Sequence, residues 1–339
     1  MIRLFLLAAV CLVGCTTENP SRLKDEPFKV RVPAGFPEVH FPIDNEPTKL
    51  RVELGRRLFY DNRLSADETM NCGSCHVLSA AFTDGRTTSE GLDGIAGKRN
   101  APTLVNLAWM KRFMMEGGVP TLETQALAPL HDSGEMGSNM MHAVAKLNRD
   151  PLLVELGRAA YGRDTIDPFV VTRALACFQR TFMSGDSRYD RFMLGKKDQM
   201  NEQEQRGMDL FFSVETHCSE CHSSVFFTDM DYHNIGLQEI YSDEGKARAT
   251  HRDEDVGRFK TPTLRNIQLT APYMHDGSMK SLEEVVEFYN SGGRNHRNKH
   301  ARIQPLNLTA QDQSDLIAFL TTLTDWNFVQ NTDFLPLMK

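Results

Sequence analysis

Cys72-Gly73-Ser74-Cys75-His76 constrains this chain more than any other stretch, and it returns as Cys218-Ser219-Glu220-Cys221-His222. Cys-x-x-Cys-His is the attachment signal of a c-type haem. The two thiols form thioethers along one haem edge, and the histidine after the second cysteine then lies under the iron as its proximal ligand. A zinc site would need four ligands of matching type, and each unit would use its histidine only by coincidence. A thioredoxin-like cysteine pair does not require the histidine. These motifs predict two covalently bound c-type haems, one on Cys72, Cys75 and His76, the other on Cys218, Cys221 and His222. Each haem would add a large apolar surface around which a domain can build its core.

The other cysteines bear on compartment. Arg3 and the apolar run Leu4 to Val13 read as a secretory signal, too short to span a membrane. The run ends in Leu12-Val13-Gly14-Cys15, which resembles a bacterial lipoprotein signal: small residues, then a cysteine that is acylated and becomes the mature N-terminus. Ordinary cleavage, with Cys15 as a bystander, is the alternative. Thr16 after the cysteine looks like an outer-membrane destination. A lipid-anchored periplasmic protein suits the haems, because c-type attachment follows export. Residues 16–36 are polar and Pro-bearing and are expected to form a tether. Cys177, within Ala174-Leu175-Ala176-Cys177, reads as a buried structural residue. The 339 residues suffice for two modest domains, and the net charge of −7 gives no reason to expect nucleic-acid binding.

Two copies of one plan follow the leader. Leu50 to Tyr60 has apolar residues at helical spacing, and Asp61-Asn62 marks a turn. The first haem motif, Phe82-Thr83-Asp84-Gly85, a Gly-bearing loop to Gly97 and Pro102-Thr103-Leu104-Val105-Asn106 come next. Glu116-Gly117-Gly118 and Leu122-Glu123 close the set. In the second half Glu204 to Phe212 is the leading helix. It precedes the second haem motif, Phe227-Thr228-Asp229, Pro262-Thr263-Leu264-Arg265-Asn266, Asp276-Gly277 and Leu282-Glu283. The second copy carries a longer polar loop, Ser242 to Asp255, expected on the solvated surface. Helices are also expected over Met140 to Leu156, Pro168 to Met183 and Gln311 to Leu323. The predicted fold is mainly α, with two cytochrome-c-like haem domains in tandem by internal duplication. The expected boundaries are a leader over 1–15, a tether over 16–36, a first haem domain over 37–185 and a second over 186–339.

From Leu50 onward the chain resembles the bacterial di-haem cytochrome c peroxidase family, which includes MauG. The resemblance rests on the two haem motifs, the paired PTLxN segments, Gly117 to Gln125, Glu135-Met136-Gly137 and Leu269-Thr270-Ala271-Pro272-Tyr273. It implies a first haem that binds hydrogen peroxide and a second that passes electrons to it. Several members close the first haem at rest with a loop histidine. That register falls on Leu92, and residues 79–100 hold no histidine, so an open first haem needing no reductive activation is expected. A more distant histidine, His131 or His142, swinging in is the alternative.

The resemblance also implies that Glu135 moves the proton in peroxide cleavage and that Gln125 lines the same pocket. Where the electron-transfer haem usually takes a methionine, the register gives Tyr289, as in the MauG branch. A phenolate is a hard anionic donor with precedent in catalase. Met279 as ligand, with Tyr289 packed beside the ring, is the competing assignment. Asn100, Thr270 and Pro272 match positions that hold a calcium ion, which takes oxygen donors. His275 matches an inter-haem histidine. Met115 stands where the family carries a tryptophan between the haems, and Trp109 is expected in the core.

The function expected first is a periplasmic peroxidase returning electrons from a small cytochrome c or a copper protein. A MauG-like enzyme that modifies a side chain of a partner protein is the second. A non-enzymatic carrier with two saturated haems is the third. The resemblance also suggests a homodimer.

Overall fold

Leu50, Leu54, Leu58 and Phe59 share one buried face when Lys49–Phe59 coils into helix α1. Thr48 caps the helix by accepting from the Arg51 amide at 3.3 Å. The computed structural model describes residues 23–337, so Cys15 and the leader lie outside the described residues. Of the stretch expected to be a tether, residues 25–28 pair with the start of α1. Pro27 bridges Thr48, and the Leu50 amide donates to Asp25 Oδ1 at 3.1 Å.

After α1 the first half carries α2 (Cys72–Cys75), α3 (Leu122–Gln125), α4 (Leu127–His131), α5 (Met140–Leu147), α6 (Pro151–Tyr161) and α7 (Pro168–Gln179). The second half carries α8 (Arg188–Met193), α9 (Glu202–Phe211), α10 (Cys218–Cys221), α11 (Ala247–Thr250), α12 (Leu282–Asn290), α13 (Ala310–Thr321) and α14 (Trp326–Val329). One short antiparallel pair, β1 (Tyr232–His233) and β2 (Phe259–Lys260), is the sheet among the described residues. The fold is therefore mainly helical. No described helix is long and apolar enough to cross a membrane.

Each half is built on one tight helix crossing. Gly55 of α1 meets the Ala174 carbonyl and Phe178 of α7, with no room for a Cβ. Gly207 of α9 meets the Asp315 carbonyl and Phe319 of α13 in the same way. The glycines let the backbones approach, and the phenylalanines then fill the core beside them. Phe59, Phe82, Phe178 and Phe182 interlock in the first half. Phe211, Phe227 and Phe319 do so in the second.

Two helix expectations need correcting. Met140 to Leu156 is two helices, because Pro151 cannot continue α5. Pro151 instead opens α6, where Asp150 accepts from the Leu152 amide at 3.0 Å. The helix expected to reach Met183 stops at Gln179, and residues 180–185 turn toward the seam between the halves.

That seam explains the PTLxN segments. Asn106 and Asn266 are fully buried, and both take left-handed backbone (φ 61° at each), a conformation asparagine tolerates. Asn106 donates to the Ser184 carbonyl at 3.0 Å, and Asn266 donates to Ser184 Oγ at 3.0 Å. Asp325 accepts from the Gly185 and Asp186 amides, both at 2.9 Å. Beyond it the chain returns to the first half: Phe328, Val329 and Phe334 join the first hydrophobic cluster. Tyr60 donates its hydroxyl to the Phe334 carbonyl at 2.6 Å.

The polar loop Ser242 to Asp255 is not simply solvated. Ala247 and Asp255 are buried, and Asp243 holds the Arg99 guanidinium of the first half at 2.6 and 2.9 Å. Trp109 lies at the seam rather than in the core. It packs on Phe36 and Phe226 and donates from Nε1 to the Pro37 carbonyl at 3.1 Å.

Candidate haem sites and the gap between them

Both haem motifs form a single helical turn, α2 and α10, with the histidine directly after it. His76 places Nδ1 2.8 Å from the Phe82 carbonyl, and His222 places Nδ1 3.1 Å from the Phe227 carbonyl. An imidazole that donates from Nδ1 to a carbonyl keeps its Nε2 lone pair free for a metal. The carbonyls are aimed by unusual backbone: Phe82 has φ 62° and Phe227 φ 53°. Left-handed phenylalanine is strained. Burial of each ring in its aromatic cluster holds the strain in place. Burial also pushes both histidines below their ordinary pKa, with the carbonyl bond opposing. Both imidazoles are thereby kept neutral, the form that ligates. The sequence marked Phe82-Thr83-Asp84 and Phe227-Thr228-Asp229 as repeats without assigning them this task.

A cavity of about 340 Å³ opens beside the second motif. Cys218, Cys221, His222 and Tyr289 line it together with Leu282, Val286, Leu316 and Leu320. Thiols, a metal-ready imidazole and apolar walls fit a thioether-bound haem. None of the described cysteines is tied in a disulfide. Burial, with Cys218 and Cys221 nearby, pushes the Tyr289 phenol above its ordinary pKa. Met274 lines the same cavity, whereas Met279 lines a separate surface depression with Gln238 and Arg294. His296 bonds to Asn234 and Asn298.

Around the first motif, Tyr60 packs so closely over Gly73 that a Cβ there would collide with its ring. Glu135 keeps an exposed face, yet burial, reinforced by the charge of Asp132, raises its carboxyl above the ordinary value. The carboxylate also lies near enough to Cys75 to act on that thiol. Gln125 Nε2 rests 3.8 Å from Met114 Sδ, and no hydrogen bond joins Gln125 to Glu135. Leu92 sits in a tight loop bridged by Glu90 and Ala96. Its amide donates to the Glu135 carbonyl at 3.0 Å, and its side chain packs against Gly137. His131 and His142 are exposed, and His131 Nε2 faces the Met140 amide at 3.4 Å.

Asn100, Thr270 and Pro272 all line the cavity. Asn100 donates from Nδ2 to the Arg86 carbonyl at 2.8 Å, which leaves Oδ1 as a free oxygen donor. The donor types suit calcium. His275 also lines the cavity and stacks on Phe259 at 3.8 Å. Its carbonyl accepts from the Asn100 amide at 2.8 Å. Met115 reaches the same space, and its carbonyl accepts from the Lys260 amide at 2.8 Å.

Comparison with known proteins agrees with this architecture. A model of the di-haem cytochrome c peroxidase family matches residues 49–198. The methylamine utilization protein MauG of Methylorubrum extorquens is 36% identical over 319 residues, covering 93% of this chain and 88% of that protein. Cytochrome c551 peroxidase of Nitrosomonas europaea is 33% identical, covering 80% of this chain and 79% of that protein. The crystal structure of a MauG-like protein associated with microbial copper homeostasis superposes with a TM-score of 0.86 at 37% identity. It covers 91% of this chain and 98% of that one. Two haem-attachment motifs with metal-ready histidines, and relatives matched along most of the chain, lead to one conclusion: this protein belongs to the di-haem cytochrome c peroxidase family, as an oxidoreductase acting on peroxide.

Proposed function

We propose that this protein is a periplasmic di-haem peroxidase, anchored through an acylated Cys15 to the outer membrane. It would reduce hydrogen peroxide to water with two electrons from a small cytochrome c or a copper protein. The halves would be tandem copies of one haem domain. The observation that carries the proposal is the pairing of a metal-ready His76 with two joined loops: residues 79–100, which hold no histidine, and the Glu135 turn, whose carbonyl accepts from the Leu92 amide.

The chain's own residues have distinct tasks. Cys72 and Cys75 fix the first haem and Cys218 and Cys221 the second; His76 and His222 offer Nε2 to the irons. When bound, the haems supply an iron that cleaves the O–O bond at the first site and one that stores and passes electrons at the second. Leu92 offers no ligand, so the first site stays open to peroxide. Glu135, whose carboxyl burial and Asp132 hold above its ordinary pKa, accepts a proton from one peroxide oxygen and returns it to the other, which leaves as water. Gln125 steadies the bound peroxide with its amide. Tyr289, which lines one cavity with His222, would offer its phenol oxygen to the same iron. Asn100, Thr270 and Pro272 would hold calcium between the sites.

Peroxide consumption by the holoprotein with a reduced donor tests this. Glu135→Gln should suppress turnover while both haems stay attached; unchanged turnover removes Glu135 from the mechanism.

A second reading is oxidation of a side chain on a partner protein. The likeness to MauG and to a MauG-like protein favours it, as do Leu92 and Tyr289. A peroxide-dependent mass change in a candidate partner would select it over donor turnover.

A further inference from the structure

The Gln125 amide lies against a sulfur atom. Its Nε2 is 3.8 Å from Met114 Sδ, and Gln125 makes no other side-chain hydrogen bond among the described residues. A thioether is a weak acceptor, so the amide is held loosely and stays free to turn toward a bound molecule. Met114 is half-buried, and its backbone is left-handed with φ 65°. That conformation is uncommon away from glycine, so the turn itself fixes where the thioether stands.

The same turn occurs in the second half. Phe113 bridges Val119, and Tyr273 bridges Met279. The Gly117 amide donates to the Met114 carbonyl and the Gly277 amide to the Met274 carbonyl, both at 3.2 Å. Met274 is left-handed too, with φ 73°. A helix then starts at Leu122 in one half and at Leu282 in the other, so Gln125 and Val285 hold matching places. Met274 and Val285 both line the cavity beside Cys218, Cys221 and His222. Met114 and Gln125 take the corresponding places in the first half. Ala126, next to Gln125, belongs to the hydrophobic cluster against which Cys72 packs.

We propose that Met114 is a modification site, oxidised to the sulfoxide by hydrogen peroxide, and that the new oxygen captures the Gln125 amide. The sulfur lone pair attacks one peroxide oxygen, the O–O bond breaks, and the other oxygen leaves as water with both protons. Sulfur loses two electrons and peroxide gains them, so no further reactant is needed. The sulfoxide oxygen is a strong acceptor where the sulfur was a weak one, and it extends from Sδ into the 3.8 Å gap. An amide held there no longer steadies peroxide, so the first site slows when peroxide outruns the electron donor. The change is reversible, because methionine sulfoxide reductases remove the oxygen. The slowing rests on the peroxidase reading of Gln125; the oxidation of Met114 does not. Met274 is an internal control, since it makes the same turn but Val285 has no amide to capture.

The test exposes the holoprotein to a small excess of hydrogen peroxide without donor. Peptide mass mapping then follows each methionine, optical spectra follow the haems, and turnover with a reduced donor follows the activity. Met114 should gain an oxygen before Met274 does. With both haems intact, kcat/KM for peroxide should fall about tenfold, the loss expected for one hydrogen bond. Treatment with methionine sulfoxide reductases for both epimers should restore it. Met114→Leu, close to methionine in volume, should keep its own starting turnover through the same exposure. Oxidation of Met274 ahead of Met114, an equal loss in Met114→Leu, or a sulfoxide at Met114 with undiminished turnover would overturn the proposal. If Met114→Leu fails to mature, reductase rescue of wild type decides the matter. Fresh protein that turns over no peroxide refutes the peroxidase reading, whereas normal turnover with Met114 left unoxidised refutes this proposal alone.

Discussion

Replacing Gly91 with alanine should disable the first site without unfolding the protein. Gly91 precedes Leu92 in the loop latched over Glu135. A Cβ built on Gly91 would fall 1.9 Å from the Gly134 carbonyl oxygen and 2.8 Å from Glu135 Cα, where ordinary contact begins at 3.4 Å, so the two loops must part by roughly 1.5 Å. The obstacle is backbone on both sides, so no side-chain rotation relieves it. The Leu92 amide bond to the Glu135 carbonyl, 3.0 Å long, breaks at that separation, costing about 1 kcal/mol of stability. The functional cost is larger, because displacing a catalytic group by about 1 Å can lower rates on the order of 100-fold. The assay is peroxide turnover with a reduced donor, beside a haem count and a thermal melt. The expected result is about a 100-fold loss of kcat/KM with both haems attached and a small change in Tm. Wild-type turnover in a folded Gly91→Ala protein would refute the coupling between this loop and Glu135.

Other outcomes follow from the same geometry. Glu135 must be ionised to accept a proton, and burial with the Asp132 charge raises its pKa; the acidic limb of the pH–rate profile should therefore lie above the ordinary carboxylate range. Asp132→Asn removes the second cause and should move that limb to lower pH, whereas no movement or a rise would contradict the assignment. Tyr289→Phe should change the optical and EPR signature of the second haem while sparing the first, and an unaltered spectrum would remove Tyr289 as a ligand. Asp190 accepts both guanidinium nitrogens of the buried Arg265 at 2.8 Å. Asp190→Asn should cost about 3–5 kcal/mol in denaturant unfolding, and a loss under about 1 kcal/mol would show that the pair is not structural.

The elements legible in the sequence were those with local signals. The apolar faces of α1 and α9 appear as periodicity, and the haem motifs as a spacing imposed by the cofactor. Long-range events left weaker marks. Gly55 and Gly207 look like mild helix defects until Ala174 and Asp315 arrive from far along the chain. Pro151 inside Met140 to Leu156 is a visible break signal, and the polar Asn148-Arg149-Asp150 before it marks the same boundary. Phe82 and Phe227 carry no sign of positive φ, because the strain is imposed by the core that buries their rings. The charged loop Ser242 to Asp255 reads as solvated because Arg99, which Asp243 needs, is distant in sequence. Of the candidate site, Cys218, Cys221, His222, Tyr289 and the set Asn100, Thr270 and Pro272 meet around one cavity. Gln125 and Glu135 are not joined by a hydrogen bond: the Gln125 amide instead faces Met114 Sδ.

The central claim is a first haem open at rest, and it is tested by adding hydrogen peroxide to the fully oxidised protein and following the optical and EPR spectra. The account predicts an immediate reaction with no prior reduction, in which the ferric signals of both haems fall together. A protein that stays silent until one electron is supplied would contradict it, placing a closing ligand on the first haem despite Leu92.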